Sequence, residues 1–168
     1  MFCSCSKLTV LDVSGFNTAN VYYMGSMFSG GSGVATLDVS HFNTERVISM
    51  GGMFSGRSSL TDLDVSNFNT GQVINMEHTF QGLTNLATLD ISNLNTSNVT
   101  DMYFMFADNR GLTSLDLSNF NTAKVTRMGY MFSNCSKLET IIVGEGWTTN
   151  NIGDSSLDKQ SVFSGCNA

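Results

Sequence analysis

Carboxylates at a constant spacing are the first groups in this sequence that could do chemistry. Five aspartates recur every 26 residues, at Asp12, Asp38, Asp64, Asp90 and Asp116. If the equivalent segments lie side by side, these carboxylates form one row, and like charges directly opposite one another destabilise a sheet. One interpretation is that divalent cations offset the repulsion, since hard cations bind carboxylate oxygens. The other is that each carboxylate accepts hydrogen bonds from nearby backbone, Ser or Thr groups.

The surroundings of the aspartates favour the second interpretation. Four of the five strand segments supply a single carboxylate, the third adds Asp62 two residues before Asp64, and no glycine-rich calcium nonapeptide is present. The sequence therefore predicts no metal site, and calcium at the aspartate row remains the alternative.

Enzyme chemistry has little support in the remaining residue types. The two histidines, His41 and His78, occupy different positions of the repeat, and no triad, metal cluster or phosphate loop gathers around either. The Gly-rich segment 30–33 is not followed by Lys-Ser/Thr, as a phosphate-binding loop would be. A thin stack of repeats also offers surfaces rather than the deep pocket that catalysis usually needs. We therefore predict a non-catalytic protein that uses no cofactor.

The four cysteines do not form a recognisable metal or redox motif. Cys3-x-Cys5 is neither a zinc knuckle nor a redox Cys-x-x-Cys. Cys5 and Cys135 occupy the same position five repeats apart, so they cannot pair within one chain. Cys166 occupies the matching position of the last repeat, where a disulfide to Cys135 and a small buried thiol are both open interpretations.

Composition and charge exclude two classes of partner. The 168 residues fit one domain. Charged residues are 13%, about half the usual share, and 22 Ser, 17 Thr and 17 Asn carry most of the polarity instead. The net charge of −6 argues against nucleic acid, whose phosphates call for Lys/Arg patches, and against electrostatic docking on anionic membranes. No apolar run approaches a membrane span, so no membrane insertion is predicted for this segment.

The aspartates belong to a 26-residue repeat that must position every candidate group. Leu-Asp pairs begin at 11, 37, 63, 89 and 115, and the unit reads L-D-[VIL]-S-x-[FL]-N-T-x-x-V-x-x-M-x-x-[MT]-F. Polar and apolar residues alternate around the Leu, which predicts a short strand. The later Val, Met and Phe recur at spacings of three and four, which suits a short helical or 3-10 segment. One unit cannot bury its apolar stripe alone, so stacked units must bury it in a continuous core.

The repeat divides the chain into a single domain, residues 1–168. We predict a partial N-terminal coil over 1–10, five repeats over 11–140 and a degenerate closing coil over 141–168. The chain opens in the middle of a repeat, so we expect it to be a piece of a longer protein, and no signal peptide is visible. The Phe position predicts an aromatic stack through the core. The Asn position predicts a buried ladder joining neighbouring coils, with the adjacent Thr serving the same turn.

Aromatic side chains that break the repeat pattern are the best candidates for contact with a partner. Binding surfaces usually need aromatic or Arg anchors, and the outward strand positions have none. The non-repeating aromatic positions, with a histidine in register, are Tyr22, Tyr23, His78, Tyr103, Phe104 and Tyr130. The alternative is that these are scattered surface residues without a role.

The repeat resembles a known bacterial family. The segment LDLSNFNTAKVTRMGYMFSNCSKL, residues 115–138, resembles the BspA-type repeat of bacterial surface proteins, a branch of the leucine-rich-repeat proteins. The resemblance covers residues 1–143. It implies an α/β repeat solenoid, right-handed and of leucine-rich-repeat type. Each coil would have one short parallel β-strand, with short helical or 3-10 segments on the opposite face.

The resemblance also implies a function. It implies a module displayed on the cell surface or secreted, in the role of an adhesin segment that binds a protein or glycan on a host or neighbouring cell. The alternative function is a passive spacer that holds another domain away from the cell. The apolar N-terminal coil face also suggests end-to-end self-association of the chain.

Overall fold

Stacked 26-residue units with little regular secondary structure make up the protein. The computed structural model describes residues 1–5, 7–31, 33–153 and 161–166. Two strands are present in this part of the chain, β1 at Ser114–Leu117 and β2 at Thr140–Val143. They pair in parallel with Leu115 opposite Ile141, one repeat apart. A strand was expected in every repeat, whereas the Leu-Asp segments of the first four repeats form no strand in the structure.

The last coil pairs as a strand because its backbone approaches the preceding one closely. Gly144 stands where the other repeats have Ser, and a Cβ at Gly144 would collide with the backbone carbonyl of Ser118. The missing side chain therefore permits an approach that Ser prevents elsewhere. Between the equivalent segments of the second and third repeats, the backbone hydrogen bond from Thr61 N to Ala35 O is long, at 3.4 Å.

Backbone hydrogen bonds between repeats run along the segment for which a helix was predicted. Alternate N–H groups donate to the carbonyl 25 residues further on, as in Met24 to Ser49 at 2.9 Å and Phe28 to Met53 at 2.9 Å. The intervening N–H groups close tight turns, as in Met53 to Met50 at 2.9 Å. Because half of the donors bond to the next repeat, a helix cannot form, and no helix occurs in the described residues.

These backbone hydrogen bonds include bridges at one fixed position of the repeat. Single parallel bridges link the same position of five successive units, Tyr23, Ser49, Asn75, Asp101 and Arg127. The predicted helical or 3-10 face is therefore the face where the backbones of neighbouring repeats are joined.

Columns of apolar residues fill the interior. One Phe per repeat stacks on the next with nearly parallel rings and centroids 5.4–6.1 Å apart. The stacked rings are Phe2, Phe28, Phe54, Phe80, Phe106, Phe132 and Phe163. Leu, Val and Met columns pack around them and are almost fully buried. The core is therefore continuous from the first unit to the last, as the column pattern predicts.

The Thr column, rather than the Asn column, joins neighbouring coils at the turn. The buried Thr70 hydroxyl donates to Asn95 O at 2.9 Å and accepts from Asn95 N at 2.8 Å, and the pattern repeats along the column. The predicted buried Asn ladder is wrong, because Asn69 and its equivalents are exposed. Their side chains instead accept from the backbone two residues on, as Asn69 does from Gly71 N at 3.1 Å.

A different Asn position supplies an inter-coil amide ladder. The side-chain amide of Asn93 donates to Val65 O and Phe68 O of the preceding repeat at 2.9 and 3.0 Å. Asn67 and Asn119 do the same, and His41 contacts Val13 O at 2.9 Å. The Asn that repeats less strictly thus binds the neighbouring coil, whereas the invariant one closes its own turn.

Both ends of the stack expose apolar side chains. Met1, Val10 and Tyr23 are exposed at one end, and Ile142 and Phe163 at the other. A cavity of about 520 Å³ opens at the first end beside Met1 and Phe16. Within the described ranges there is no helix long and apolar enough to cross a membrane. Residues 154–160 and 167–168 of the predicted closing coil lie outside the described residues.

Candidate functional site

Four of the six predicted contact residues meet on one face of the stack. The rings of His78, Phe104 and Tyr130 come from the same position of three successive repeats and stack in a row. The centroid distances are 5.1 Å between His78 and Phe104 and 4.8 Å between Phe104 and Tyr130, with planes within 10°. We call these three residues the aromatic ladder. Tyr103 lies beside it and meets Phe104 edge-on at 4.5 Å.

The backbone under the aromatic ladder is left-handed. His78, Phe104 and Tyr130 have φ values of 54°, 54° and 56°. Bulky residues rarely adopt this conformation, which costs about 1–2 kcal/mol per residue and which glycine adopts freely. Gly52 occupies the same position one repeat before His78, with φ 64°. Three consecutive repeats thus place a ring where a glycine would be less strained, and such strain is concentrated at functional sites.

One edge of the ladder carries charge. The guanidinium of Arg127 lies 4.9 Å from the Tyr103 ring centre, as a cation–π pair. It also forms an ion pair with Asp101 and approaches Glu77 at 3.7 Å. Burial raises the pKa of Asp101, while the bond from Tyr103 N and the Arg127 charge lower it. The edge is therefore a half-buried network that holds Tyr103 in place.

Amide side chains fix the other edge. His78 Nδ1 lies 2.7 Å from Gln81 Oε1, which accepts the ring N–H. The Gln81 amide donates to Asp108 at 3.1 Å, and Asp108 accepts from Asn134 at 2.9 Å. This chain spans three repeats and sets the orientation of the His78 ring, leaving Nε2 as an acceptor in the neutral imidazole.

Tyr22 and Tyr23, the other two predicted contact residues, lie away from the ladder. Tyr23 is 71% exposed at the end of the stack and lines the apolar cavity there. Tyr22 lies in a separate open groove with Glu45, Arg46 and Ile48. Both belong to the first full repeat, two repeats before His78, which is why neither ring reaches the ladder.

The aspartate row is held by serines. Each aspartate accepts a hydrogen bond from the backbone N–H of the Ser two residues on, at 2.8–3.0 Å. In the second repeat the Ser40 hydroxyl also donates to Asp38 at 2.7 Å. The serines in question are Ser14, Ser40, Ser66, Ser92 and Ser118.

These bonds outweigh the repulsion along the row. The bonds from Ser66 lower the pKa of Asp64, although the neighbouring charges of Asp38 and Asp90 act to raise it. The pKa values of Asp12, Asp38, Asp90 and Asp116 are lowered for the same reason. The hydrogen-bond interpretation thus accounts for the row without a cation. No group of three metal-ligating side chains gathers in the residues that the structure describes.

The cysteines are free thiols in different settings. Cys3 and Cys5 are exposed, Cys135 is buried and Cys166 is half-buried. The thiols of Cys135 and Cys166 donate to backbone carbonyls at 3.1 and 3.0 Å. Burial raises the pKa of Cys135 to about 12. Cys135 is therefore a packed and poorly reactive thiol. This is the small buried thiol that the sequence analysis gave as one of two interpretations.

Sequence reasoning missed Glu77, Gln81, Asp101, Asp108 and Arg127 as neighbours of the ladder. A usable signal was present, because Gly52 among Ser, His, Phe and Tyr at one repeat position marks a left-handed backbone. Residues flanking that position by one to five places then necessarily surround the ring.

Comparisons with known proteins give one result. The family model described as "Mycoplasma protein of unknown function, DUF285" matches residues 1–64 and again residues 58–168. The two matches together span the chain. No curated protein and no solved structure matches it.

Proposed function

The chain belongs to the DUF285 family of Mycoplasma proteins of unknown function, and we propose that it is a non-catalytic interaction module of a bacterial cell surface. In this proposal it is an adhesin segment that binds a protein or glycan on a host or neighbouring cell. The resemblance of the repeat to the BspA type supports the surface location. The same resemblance, together with the stacked units, supports a right-handed solenoid of leucine-rich-repeat type.

The observation that carries the proposal is the aromatic ladder on its left-handed backbone. Packing of the core does not require His78, Phe104 or Tyr130, because Gly52 and Ser26 fill the same position in other repeats. The rings are half-buried rather than buried, so their edges are accessible to a partner. Strained, non-repeating aromatics beside an arginine are the residue types that anchor interfaces.

A passive spacer is the second candidate. It is favoured by the uninterrupted hydrogen bonding between repeats, which extends from Phe2 N to Cys166. A spacer needs the core columns and this ladder of bonds but has no use for strained surface rings. The two functions therefore differ in the consequence of removing the rings.

A binding screen with matched variants tests the proposal. The folded chain is presented to an array of extracellular-matrix proteins, mucins and glycans at physiological salt with calcium. We expect a specific ligand that is lost in Tyr103→Ala and Tyr130→Ala and retained in Asp90→Ser. Loss in Asp90→Ser alone would move the site to the aspartate row. No ligand at about tens of micromolar, near −6 to −7 kcal/mol, would favour the spacer.

A further inference from the structure

The aromatic ladder ends abruptly at Gly52, and a notch lies beyond it. Phe104 covers one face of the His78 ring, while the preceding position in the same column is Gly52, which has no side chain. The space between them is a cavity of about 190 Å³. It is lined by Ser26, Ser29, Gly51, Gly52, Ser55, Glu77, His78 and Gln81. The uncovered face of His78 therefore forms one wall of a small polar cavity, which we call the notch.

The groups around the notch are mostly hydroxyls and amides. The hydroxyls of Ser26 and Ser29 have no hydrogen-bond partner among the described residues. The Ser55 hydroxyl donates to Gln81 Oε1 at 3.4 Å. The Glu77 carboxylate faces Arg127, with Oε2 3.7 Å from Nη1. The notch thus offers free donors and acceptors beside one aromatic face, with its single negative charge partly balanced.

The chemistry of these walls selects the kind of ligand. An aromatic face carries negative charge density and attracts the polarised C–H groups of a sugar ring. Hydroxyl, amide and carboxylate groups at the rim suit the hydroxyls of the same ring. The small size of the cavity, about 190 Å³, favours an occupant no larger than a single sugar ring. A long apolar side chain would leave the polar groups unpaired, which costs binding energy.

We propose that the notch binds a single neutral pyranose of a glycan, with the sugar stacked on the uncovered face of His78. The inference rests on the proposed function and names the ligand class of that same surface. An anionic sugar is disfavoured by Glu77 and by the net charge of −6. A cationic side chain from a protein partner is the competing occupant, and the mixed, largely uncharged walls favour the sugar over it.

The chain itself supplies a variant that closes the notch. Gly52→Phe places at this position the residue that Phe104 already supplies two repeats later, on the same left-handed backbone. A Cβ at Gly52 meets only the side chains of Ser26 and Ser55, at 3.2 and 3.9 Å. We expect the added ring to stack on His78 and exclude the sugar. Ala87→Phe adds an exposed Phe on a different part of the repeat and serves as the matched control.

Saturation-transfer NMR on the full chain measures the binding. The probes are methyl galactoside, methyl mannoside, methyl glucoside and N-acetylglucosamine, with N-acetylneuraminic acid and a lysine-rich peptide as comparisons. We expect at least one neutral sugar to bind the wild type and Ala87→Phe, and its signal to disappear in Gly52→Phe. Ser29→Ala, which cannot block the notch, should weaken the same sugar several-fold. Melting curves establish that each variant is folded.

Three outcomes would overturn the inference. The sugar signal could survive in folded Gly52→Phe, or no neutral sugar could bind at millimolar concentration. The lysine-rich peptide could instead be the probe displaced by Gly52→Phe. Failure of the proposed function is seen separately, because the array would then yield no ligand of any class. A protein ligand that needs Tyr103 and Tyr130 but ignores Gly52→Phe would preserve the proposed function and reject the notch.

Discussion

The guanidinium of Arg57 occupies the space left empty by Gly31, one repeat earlier in the same column. Arg57 is 1% exposed, and its Nε and Nη1 donate to Phe28 O and Gly31 O at 2.5 and 2.8 Å. A Cβ at Gly31 would collide with the guanidinium. Burial lowers the pKa of Arg57. The two bonds from the charged side chain go to backbone carbonyls. A side chain of one repeat thus fills the space that the missing side chain of Gly31 leaves in the preceding repeat.

Gly31→Ala should destabilise the protein, because the new methyl group meets a guanidinium that has no room to retreat. We expect a loss of about 1–3 kcal/mol, the usual cost of overpacking. Chemical denaturation of the single variant and of Gly31→Cys/Arg57→Leu provides the measurement. The double variant restores the small or aliphatic residues seen at this position in other repeats and should recover most of the loss. An unchanged midpoint in Gly31→Ala would contradict the packing described here.

Thr70→Val should be more damaging than its small change in shape suggests. The hydroxyl serves as donor and acceptor for the backbone of Asn95, and its loss leaves a part-buried N–H without this partner. Such a group costs about 1–3 kcal/mol. Thr88→Val changes an exposed Thr and should stay within about 0.5 kcal/mol. Equal denaturation midpoints for the two variants would show that the Thr column does not join the coils.

Stability should fall as the pH drops below about 4, the ordinary range of Asp. The five aspartates of the row have lowered pKa values in the folded state, so the unfolded chain binds protons first. Their contribution is present above the unfolded pKa and is lost as pH falls through the folded one. Asp101, with a raised pKa, acts in the opposite direction.

The control for the acid transition is Asp64→Asn, followed by thermal melting between pH 2 and pH 7. Asn can accept the same bond from Ser66 N but does not titrate there. Its melting temperature should depend less steeply on pH than that of the wild type. An identical slope in both proteins would mean that the row does not carry the acid sensitivity.

Calcium should leave the melting temperature unchanged. Each carboxylate of the row already accepts a hydrogen bond from its own Ser, and no group of three metal-ligating side chains gathers in the described part of the chain. A ligand that binds only the folded state raises stability, by about 2.7 kcal/mol at a concentration 100 times its Kd. Melting in millimolar calcium and in chelator is the comparison. A higher melting temperature in calcium would restore the cation interpretation.

Cys135 should resist alkylation in the folded protein. Its pKa is raised to about 12, so the reactive thiolate is scarce at pH 8, and the side chain is buried. Cys3 and Cys5 are exposed and should react first. Mass spectrometry of a timed iodoacetamide reaction resolves the three sites. Rapid labelling of Cys135 before unfolding would show that the last repeats open readily.

The period of the sequence was enough to predict the stacked Phe rings, because every ring recurs at one position. It misassigned the joints between coils. The invariant Asn69 looked like the connector, whereas Thr70 and the less regular Asn93 carry that role. Asn and Thr both offer donors and acceptors, and only the geometry of the turn decides which of them faces the next repeat.

The aromatic ladder was predicted in part for a similar reason. Departure from the repeat pattern singled out the rings of His78, Phe104 and Tyr130. Their stacking depends on a left-handed backbone, and the variety of side chains at that position hides this conformation in the sequence. Tyr22 and Tyr23 carry the same residue type in a repeat too far away to join. Arg57 and Gly31 both depart from the repeat consensus at the same position. The sequence pattern shows each departure separately and gives no sign that one side chain fills the space left by the other.

The left-handed position has a consequence for how such a surface can change. Ser26, Gly52, His78, Phe104 and Tyr130 share nearly the same φ despite their different side chains. The backbone N–H groups of the first four of these residues likewise each donate to the carbonyl 25 residues further on. The backbone at this position thus keeps the same conformation whichever side chain it carries. Substitutions at this one position would change the side chains on the surface while leaving the stacked repeats beneath them intact.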